Sequence, residues 1–280
     1  MNSAADHYAS HLAPIYLWMA GGLETALARG GAEIDAFSLA DGTGLVAVDL
    51  GAGFGMHAIP LARRGYSVLA VDTSAILLTT LWNQAGALPV RVIEGDLGSF
   101  PQHLEGPADL ILCMGDTLTH LPDRNAVERL FGDVGAALRE GGTFVVTFRD
   151  YTTPLTGDAR FIPVRRDENR VLTCVLDYVG DRVKVHDVIH ERRGKAWHKR
   201  VSAYQKLRLA PAWVMQVLQA NGMMVRIEPG PAGMVRLVAT RTGCRVENAE
   251  VEPLRRAFTS VIEERDRAAE DAPRLASDGD

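Results

Sequence analysis

Several functional classes are excluded by what this chain has little of. Cysteine occurs three times in 280 residues, as Cys113, Cys174 and Cys244. They are widely spaced, with no metal-type pairing, and a reducing cytoplasm is the expected setting. Basic excess is absent. The formal net charge is −5, the wrong sign for holding a polyanion, so nucleic acid is not an expected partner. No apolar run approaches the ~18 residues of a membrane span, and the polar stretch Met1 to Ser10 has neither the charged nor the apolar region of a secretory leader. No internal repeat is present. What remains is ordinary globular composition, 47% hydrophobic and 23% charged. That length is enough for one large α/β domain with an elaboration, or for two small domains.

Against this background one segment stands out. Val46-Ala47-Val48-Asp49-Leu50 is an apolar strand carrying an acid, and Gly51, Gly53 and Gly55 follow at alternate positions. A glycine turn after a strand lets a ligand lie against bare backbone, because no Cβ holds it off. The dinucleotide fingerprint G-x-G-x-x-G is not satisfied, since Met56 stands where its third glycine would fall, and an acid two residues before the first glycine is no part of it. A second apolar strand, Ser67 to Val71, ends in Asp72. Strand, glycine turn, helix (Met56 to Arg64), strand and terminal acid make one βαβ unit. Asp72 at the strand tip is placed to accept from two ribose hydroxyls. The alternative is that Asp72-Thr73-Ser74 only caps the next helix. A third strand, Val90 to Ile93, leads into Glu94-Gly95-Asp96-Leu97.

The alternation continues. Asp109 to Met114 is a nearly continuous apolar run of the kind a parallel sheet buries on both faces. A helix is predicted over Asp123 to Arg139, with Val127, Leu130, Phe131, Val134 and Leu138 at helical spacing, stopped by Gly141-Gly142. Thr143 to Phe148 is the fifth strand. From about Arg160 to Leu209 the period becomes two: Val171 to Val179, Val183 to His190 and Trp197 to Leu207 read as a three-stranded meander with short polar turns. A helix over Pro211 to Ala220 and two closing strands, Met223 to Ile227 and Met234 to Thr240, complete the pattern. The fold class expected is α/β, a doubly wound, mostly parallel seven-stranded sheet with a C-terminal antiparallel hairpin and an antiparallel meander inserted after strand five. The expected divisions are 1–40, a helical N-terminal cap; 41–150, the cofactor-binding core; 151–210, the antiparallel insert over the substrate; 211–242, the end of the sheet; and 243–280, a C-terminal helix and flexible tail.

Acid-x-Gly-x-Gly-x-Gly after a first strand, with an acid closing the second, resembles the class I (Rossmann-like) S-adenosylmethionine (SAM)-dependent methyltransferases. The resemblance implies SAM as cofactor and covers roughly residues 45 to 150. In that class the acid after the third strand accepts from the adenine amino group. Asp96 is the matching position, with Leu97 supplying an adjacent amide. Two further segments narrow the likeness. Gly115-Asp116-Thr117-Leu118-Thr119-His120-Leu121-Pro122-Asp123 after strand four and Arg149-Asp150-Tyr151 after strand five are similar to glycine N-methyltransferase and its sarcosine-forming relatives, with Asp twice in place of Asn. In that branch the strand-five arginine grips a substrate carboxylate, and Arg149 matches it. Arginine suits the task through its planar fork, and an ion pair with Asp150 or a neighbour is the structural alternative. Acids at 116 and 150 would favour a cationic or amine acceptor, or hold the cofactor's ammonium group.

The site expected from these readings has Asp49, Gly51, Gly53, Gly55, Asp72, Thr73, Asp96, Leu97, Met114 and Tyr16 on the cofactor, and Asp116, His120, Arg149 and Tyr151 around the acceptor. Ligands of open α/β sheets bind beyond the carboxyl ends of the strands, which places Met114 beside the methionine half. Asp49 either fixes the glycine turn or meets the cofactor ammonium through water. Tyr8, Tyr16 and Trp18 offer aromatic faces to a sulfonium, with core packing as the plain alternative. His120 is either a general base or, the preferred reading, an orienting hydrogen bond. His57 reads as a surface or packing residue. The basic run Arg192, Arg193, Lys195, His198, Lys199 and Arg200 reads as a solvated hairpin tip rather than a phosphate site. The function expected is methyl transfer to a small-molecule acceptor, N-methylation favoured, with no metal, no membrane and no nucleic acid, and homo-oligomerisation left open. A nicotinamide-dependent oxidoreductase and a non-catalytic SAM-binding protein are the alternatives.

Overall fold

The computed structural model describes residues 7, 11–37 and 41–242. Tyr8, Cys244 and the helix and tail expected over 243–280 lie outside them. Seven strands form one sheet: β1 (Val46–Leu50), β2 (Ser67–Asp72), β3 (Val90–Glu94), β4 (Ala108–Cys113), β5 (Leu138–Phe148), β10 (Met223–Pro229) and β11 (Val235–Arg241). Their spatial order is β3-β2-β1-β4-β5-β11-β10. β1 to β5 run parallel, and β11 is antiparallel to both β5 and β10. The chain therefore leaves β1 in opposite directions toward β2 and toward β4, which opens a crevice at the carboxyl ends of those strands.

Apolar side chains explain the two covering layers. Helices α1 (Tyr16–Ala20), α2 (Leu23–Asp35), α3 (Ala58–Arg63) and α4 (Ala75–Ala85) precede β3, and α5 (Arg124–Ala137) and α6 (Pro211–Ala220) follow β4. On one face, Val127, Leu130, Phe131 and Val134 of α5 and Val214 and Leu218 of α6 pack on Val48, Ile111 and Val146. On the other, Leu27 and Ile34 of α2, Ile59 and Leu61 of α3 and Leu81 of α4 pack on Ala47, Val68 and Leu112. Strands buried on both faces cannot show a polar alternation, which is why β1, β2 and β4 read as continuous apolar runs.

The insert holds four strands, not three: β6 (Phe161–Arg166), β7 (Arg170–Val179), β8 (Arg182–Arg193) and β9 (Ala196–Leu207), in that order and antiparallel throughout. β6 is an edge strand with Pro163 in it, a shifted register and no buried residue, so its sequence carries no period-two signal. One face of β8 buries Val183, Val185, Asp187 and Ile189, as the alternation predicted except for the acid among them. The helix expected through Arg139 stops at Ala137, and β5 starts at Leu138, before the two glycines rather than after them. Among the described residues no helix is long and apolar enough to cross a membrane, and no cluster of metal-ligating side chains occurs.

Candidate functional site

The crevice beside β1 is a cavity of about 320 Å³, within the range of small-molecule sites. The glycine turn forms its floor. Gly51, Gly53 and Gly55 all have positive φ, at 78°, 53° and 91°, a region that side chains disfavour. Their surroundings differ. A Cβ on Gly51 would stand 2.5 Å from the Thr117 methyl, and one on Gly55 would stand 2.4 Å from Leu81. On Gly53 the nearest atom would be 3.8 Å away, so its open side is the cavity. Gly51 and Gly53 line the cavity, whereas the Cβ side of Gly55 faces Leu81 and Ile59.

Asp72 ties the turn down. Its Oδ2 accepts from the Gly53 amide at 2.8 Å and its Oδ1 from the Ser74 amide at 2.8 Å, while Ser74, not Asp72, caps α4. Burial raises the Asp72 pKa, and amide bonds from Ser74, Gly53 and Thr73 oppose the rise. Asp72 lines the cavity with Thr73, Leu77, Asp96 and Leu97. Asp96 uses Oδ1 to accept from the Gly98 amide. Tyr16, Met56, His57, Met114, Thr117 and His120 also line the cavity. Tyr16 packs edge-on against Phe54, with centroids 5.9 Å apart. Trp18 turns away to the insert, bonding Asp167 and stacking under Arg165 and Arg170.

Asp49 sits under the turn, 1% exposed, and its Oδ2 has no hydrogen-bond partner. Burial pushes its pKa to about 6, against the pull of His57 and the Ala58 amide and with a push from Asp72. An orphaned buried carboxylate beneath an open glycine cradle, with two further carboxylates along the wall, is a donor-seeking site. It suits a ligand that brings hydroxyls, an exocyclic amine and a cationic end.

The acceptor side differs from expectation. Of Asp116, His120, Arg149 and Tyr151, only His120 lines this cavity. Asp116 is buried at φ 73° and is fully engaged. Its Oδ1 accepts from the Arg149 amide (2.9 Å) and the Thr119 hydroxyl (3.1 Å), and its Oδ2 from the Tyr151 hydroxyl (2.9 Å) and Lys206 Nζ (2.5 Å). Lys206 is 7% exposed and lies over the Tyr151 and Tyr204 rings. The Asp116 charge is thus matched inside the protein and presents nothing to an acceptor. The Arg149 guanidinium donates to the Ala232 carbonyl at 3.0 Å, and Asp150 closes a turn on Thr152. Burial and Asp116 together push the Tyr151 phenol pKa upward. His120 stacks on Tyr204, centroids 5.4 Å apart and planes 14° apart. Burial, Lys206 and His7 hold its pKa well below 6.5.

Sequence reading missed Lys206 and undervalued His57. Lys206 lies two residues past Tyr204 on β9, so it shares a face with a buried tyrosine, and that period was the available signal. His57 lines the cavity and is buried.

Residues 47–142 match the family described as "Methyltransferase domain". A glycine/sarcosine N-methyltransferase of Aphanothece halophytica is 24% identical over 139 residues, 49% of this chain and 48% of its own. Human glycine N-methyltransferase is 31% identical over 119 residues, 37% of this chain and 40% of its own. The chain spans about half the length, or less, of these curated relatives. SAM-bound CalS10, an amino pentose methyltransferase from Micromonospora echinaspora, superposes with a TM-score of 0.66 at 18% identity, over 82% of this chain and 96% of its own. The fold is that of a class I methyltransferase. SAM is the cofactor of this class, and in this chain Gly51, Gly53, Asp72 and Asp96 line one cavity.

Proposed function

We propose that this chain transfers a methyl group from SAM to the nitrogen of a small-molecule amine. The observation that carries the cofactor reading is the cavity itself: open glycine floor, Asp72 and Asp96 on one side, the orphaned Asp49 beneath. In this reading Asp72 takes the ribose hydroxyls, Asp96 and the Leu97 amide take the adenine edge, and Gly51 and Gly53 receive the chain between them. Asp49 answers the ammonium, Tyr16 covers the sulfonium, and Met114 packs beside it. When bound, SAM supplies an electrophilic methyl, and the transfer is an in-line displacement. The protein's part is to orient the acceptor and exclude water.

Support for nitrogen comes from the relatives, whose names specify glycine, sarcosine or an amino pentose. Asp116 and Asp150 give no support, because both are engaged within the protein. An amine attacks through its neutral form, so it must lose its proton before transfer. A histidine held as far from protonation as His120 is a poor place to store that proton. Its role here is to orient the acceptor from the cavity wall, with Tyr204 fixing the ring. Asp116, Arg149 and Tyr151 act one layer out, joining the ends of β4 and β5 to β9.

The test has two stages. SAM, and not NAD(H), should raise the melting temperature. Methyl-labelled SAM incubated with a panel of small amines should then yield an N-methylated product by mass spectrometry. A shift with NAD(H) alone would overturn the cofactor reading. SAM binding with products methylated only on oxygen or carbon would overturn the acceptor reading.

A further inference from the structure

The acid in the buried row of β8 is left unused by the reading above. Asp187 stands among Val183, Val185 and Ile189 and is 1% exposed. A carboxylate in such a row is costly unless donors meet it. One is local: the Cys174 thiol on β7 donates to Oδ1 at 2.8 Å. The other comes from the start of the chain. His7 is 0% exposed, and its Nε2 lies 2.8 Å from Oδ2. A carboxylate only accepts, so His7 carries hydrogen on Nε2, and its Nδ1 lies 2.7 Å from the Ser202 hydroxyl oxygen on β9. His11 joins the same anchor. Its Nε2 donates to the Asp187 carbonyl at 3.1 Å, and Arg200 donates to the His11 carbonyl at 2.7 Å.

His7 touches more than its anchor. Its ring lies against Tyr204, centroids 4.3 Å and planes 34° apart, and Tyr204 stacks in turn on His120, which lines the cavity. Asp187, His7, Tyr204 and His120 thus form one line of contacts from the buried face of the insert to the cavity wall. Stacking tolerates a range of offsets, so Tyr204 alone leaves the His120 ring free to slide. A ring held at both nitrogens has one orientation, and His7 is such a ring. We propose that His7 is a positioning residue for methyl transfer: anchored on Asp187, it fixes Tyr204 and through it the His120 ring in the cavity wall. This assignment rests on the reading of His120 as part of the acceptor's wall.

His7→Gln distinguishes positioning from mere anchoring. Glutamine offers an Nε2–H to the Asp187 carboxylate, so the anchor stays, but it has no ring for Tyr204. NMR of ring-labelled histidines in the full chain, with and without S-adenosylhomocysteine, reads the result, the His120 signal being identified by its loss in His120→Gln. The wild type should give one His120 signal that moves when the ligand is added. In His7→Gln that signal should broaden or split, while the melting temperature and the ligand's affinity stay near those of the wild type. For the amine of the test panel that the wild type methylates best, kcat/KM should fall by up to about tenfold, the scale of one aromatic contact. A folded His7→Gln with a single sharp His120 signal, or with wild-type kcat/KM, overturns the proposal and leaves His7 an anchor only. Should His7→Gln melt early, Asp187→Asn weakens the anchor without changing its shape and should give the same pattern to a smaller degree; no change in it overturns the proposal equally. A wild-type His120 signal that the ligand leaves in place defeats the reading of the cavity itself. A wild type that methylates no amine defeats the acceptor reading, and the His120 signal still decides the role of His7.

Discussion

Asp49→Asn should make the ligand-free protein more stable at neutral pH and a worse binder of its cofactor. In the folded chain burial raises the Asp49 pKa from 3.8 to about 6, whereas the unfolded chain titrates near the ordinary value. Between those values the native state keeps a proton that the unfolded state has released. Stability therefore falls as pH rises through the window. At about 1.36 kcal/mol per pH unit the full loss is about 3 kcal/mol, and about half of it develops between pH 5 and 8. Asparagine has the same shape, keeps an acceptor for the Ala58 amide and cannot ionise. Urea unfolding of both proteins from pH 5 to 8 should show the variant's advantage widening by on the order of 1.5 kcal/mol, or roughly 3–6 °C in melting temperature for a unit of this size. S-adenosylhomocysteine should then stabilise the wild type more than the variant, because the ligand's ammonium relieves the buried charge. Parallel pH profiles would show that Asp49 is not held in an unfavourable charged state. Equal ligand stabilisation would show that it does not meet the ammonium.

Two further outcomes are expected. Lys206→Met leaves Asp116 buried without its cation and should destabilise the fold by about 3–5 kcal/mol, with the added Asp116→Asn recovering most of it; denaturant midpoints decide. Arg149→Lys should leave KM for the amine acceptor within about twofold, since the guanidinium serves the Ala232 carbonyl; a raised KM with unchanged cofactor affinity would restore it as a carboxylate grip.

The parallel core was legible because burial on both faces writes itself into the sequence as unbroken apolar runs. The glycine turn and Asp72 were legible for a different reason, since a ligand against bare backbone allows few residue types. Gly55 has the same alternate spacing as its neighbours, and its missing Cβ makes room for Leu81. β6 was lost because an exposed edge strand has no face to bury. The acceptor side was the least legible part. Asp116 looks chemical in sequence, at the tip of β4, and only the return of β9 ninety residues later brings Lys206 to neutralise it. Gly30 carried information that no local reading could recover, since what it makes room for is the turn at Met56.

The account stands most directly on Asp72, and calorimetric titration of S-adenosylhomocysteine into the wild type and Asp72→Ala tests it. The wild type should bind at one site per chain. The variant loses hydrogen bonds that a charged carboxylate accepts from two hydroxyls, about 1.5–3 kcal/mol each, and should bind at least tenfold more weakly. Unchanged affinity in Asp72→Ala, or a wild type that takes up NADH and not S-adenosylhomocysteine, would contradict it.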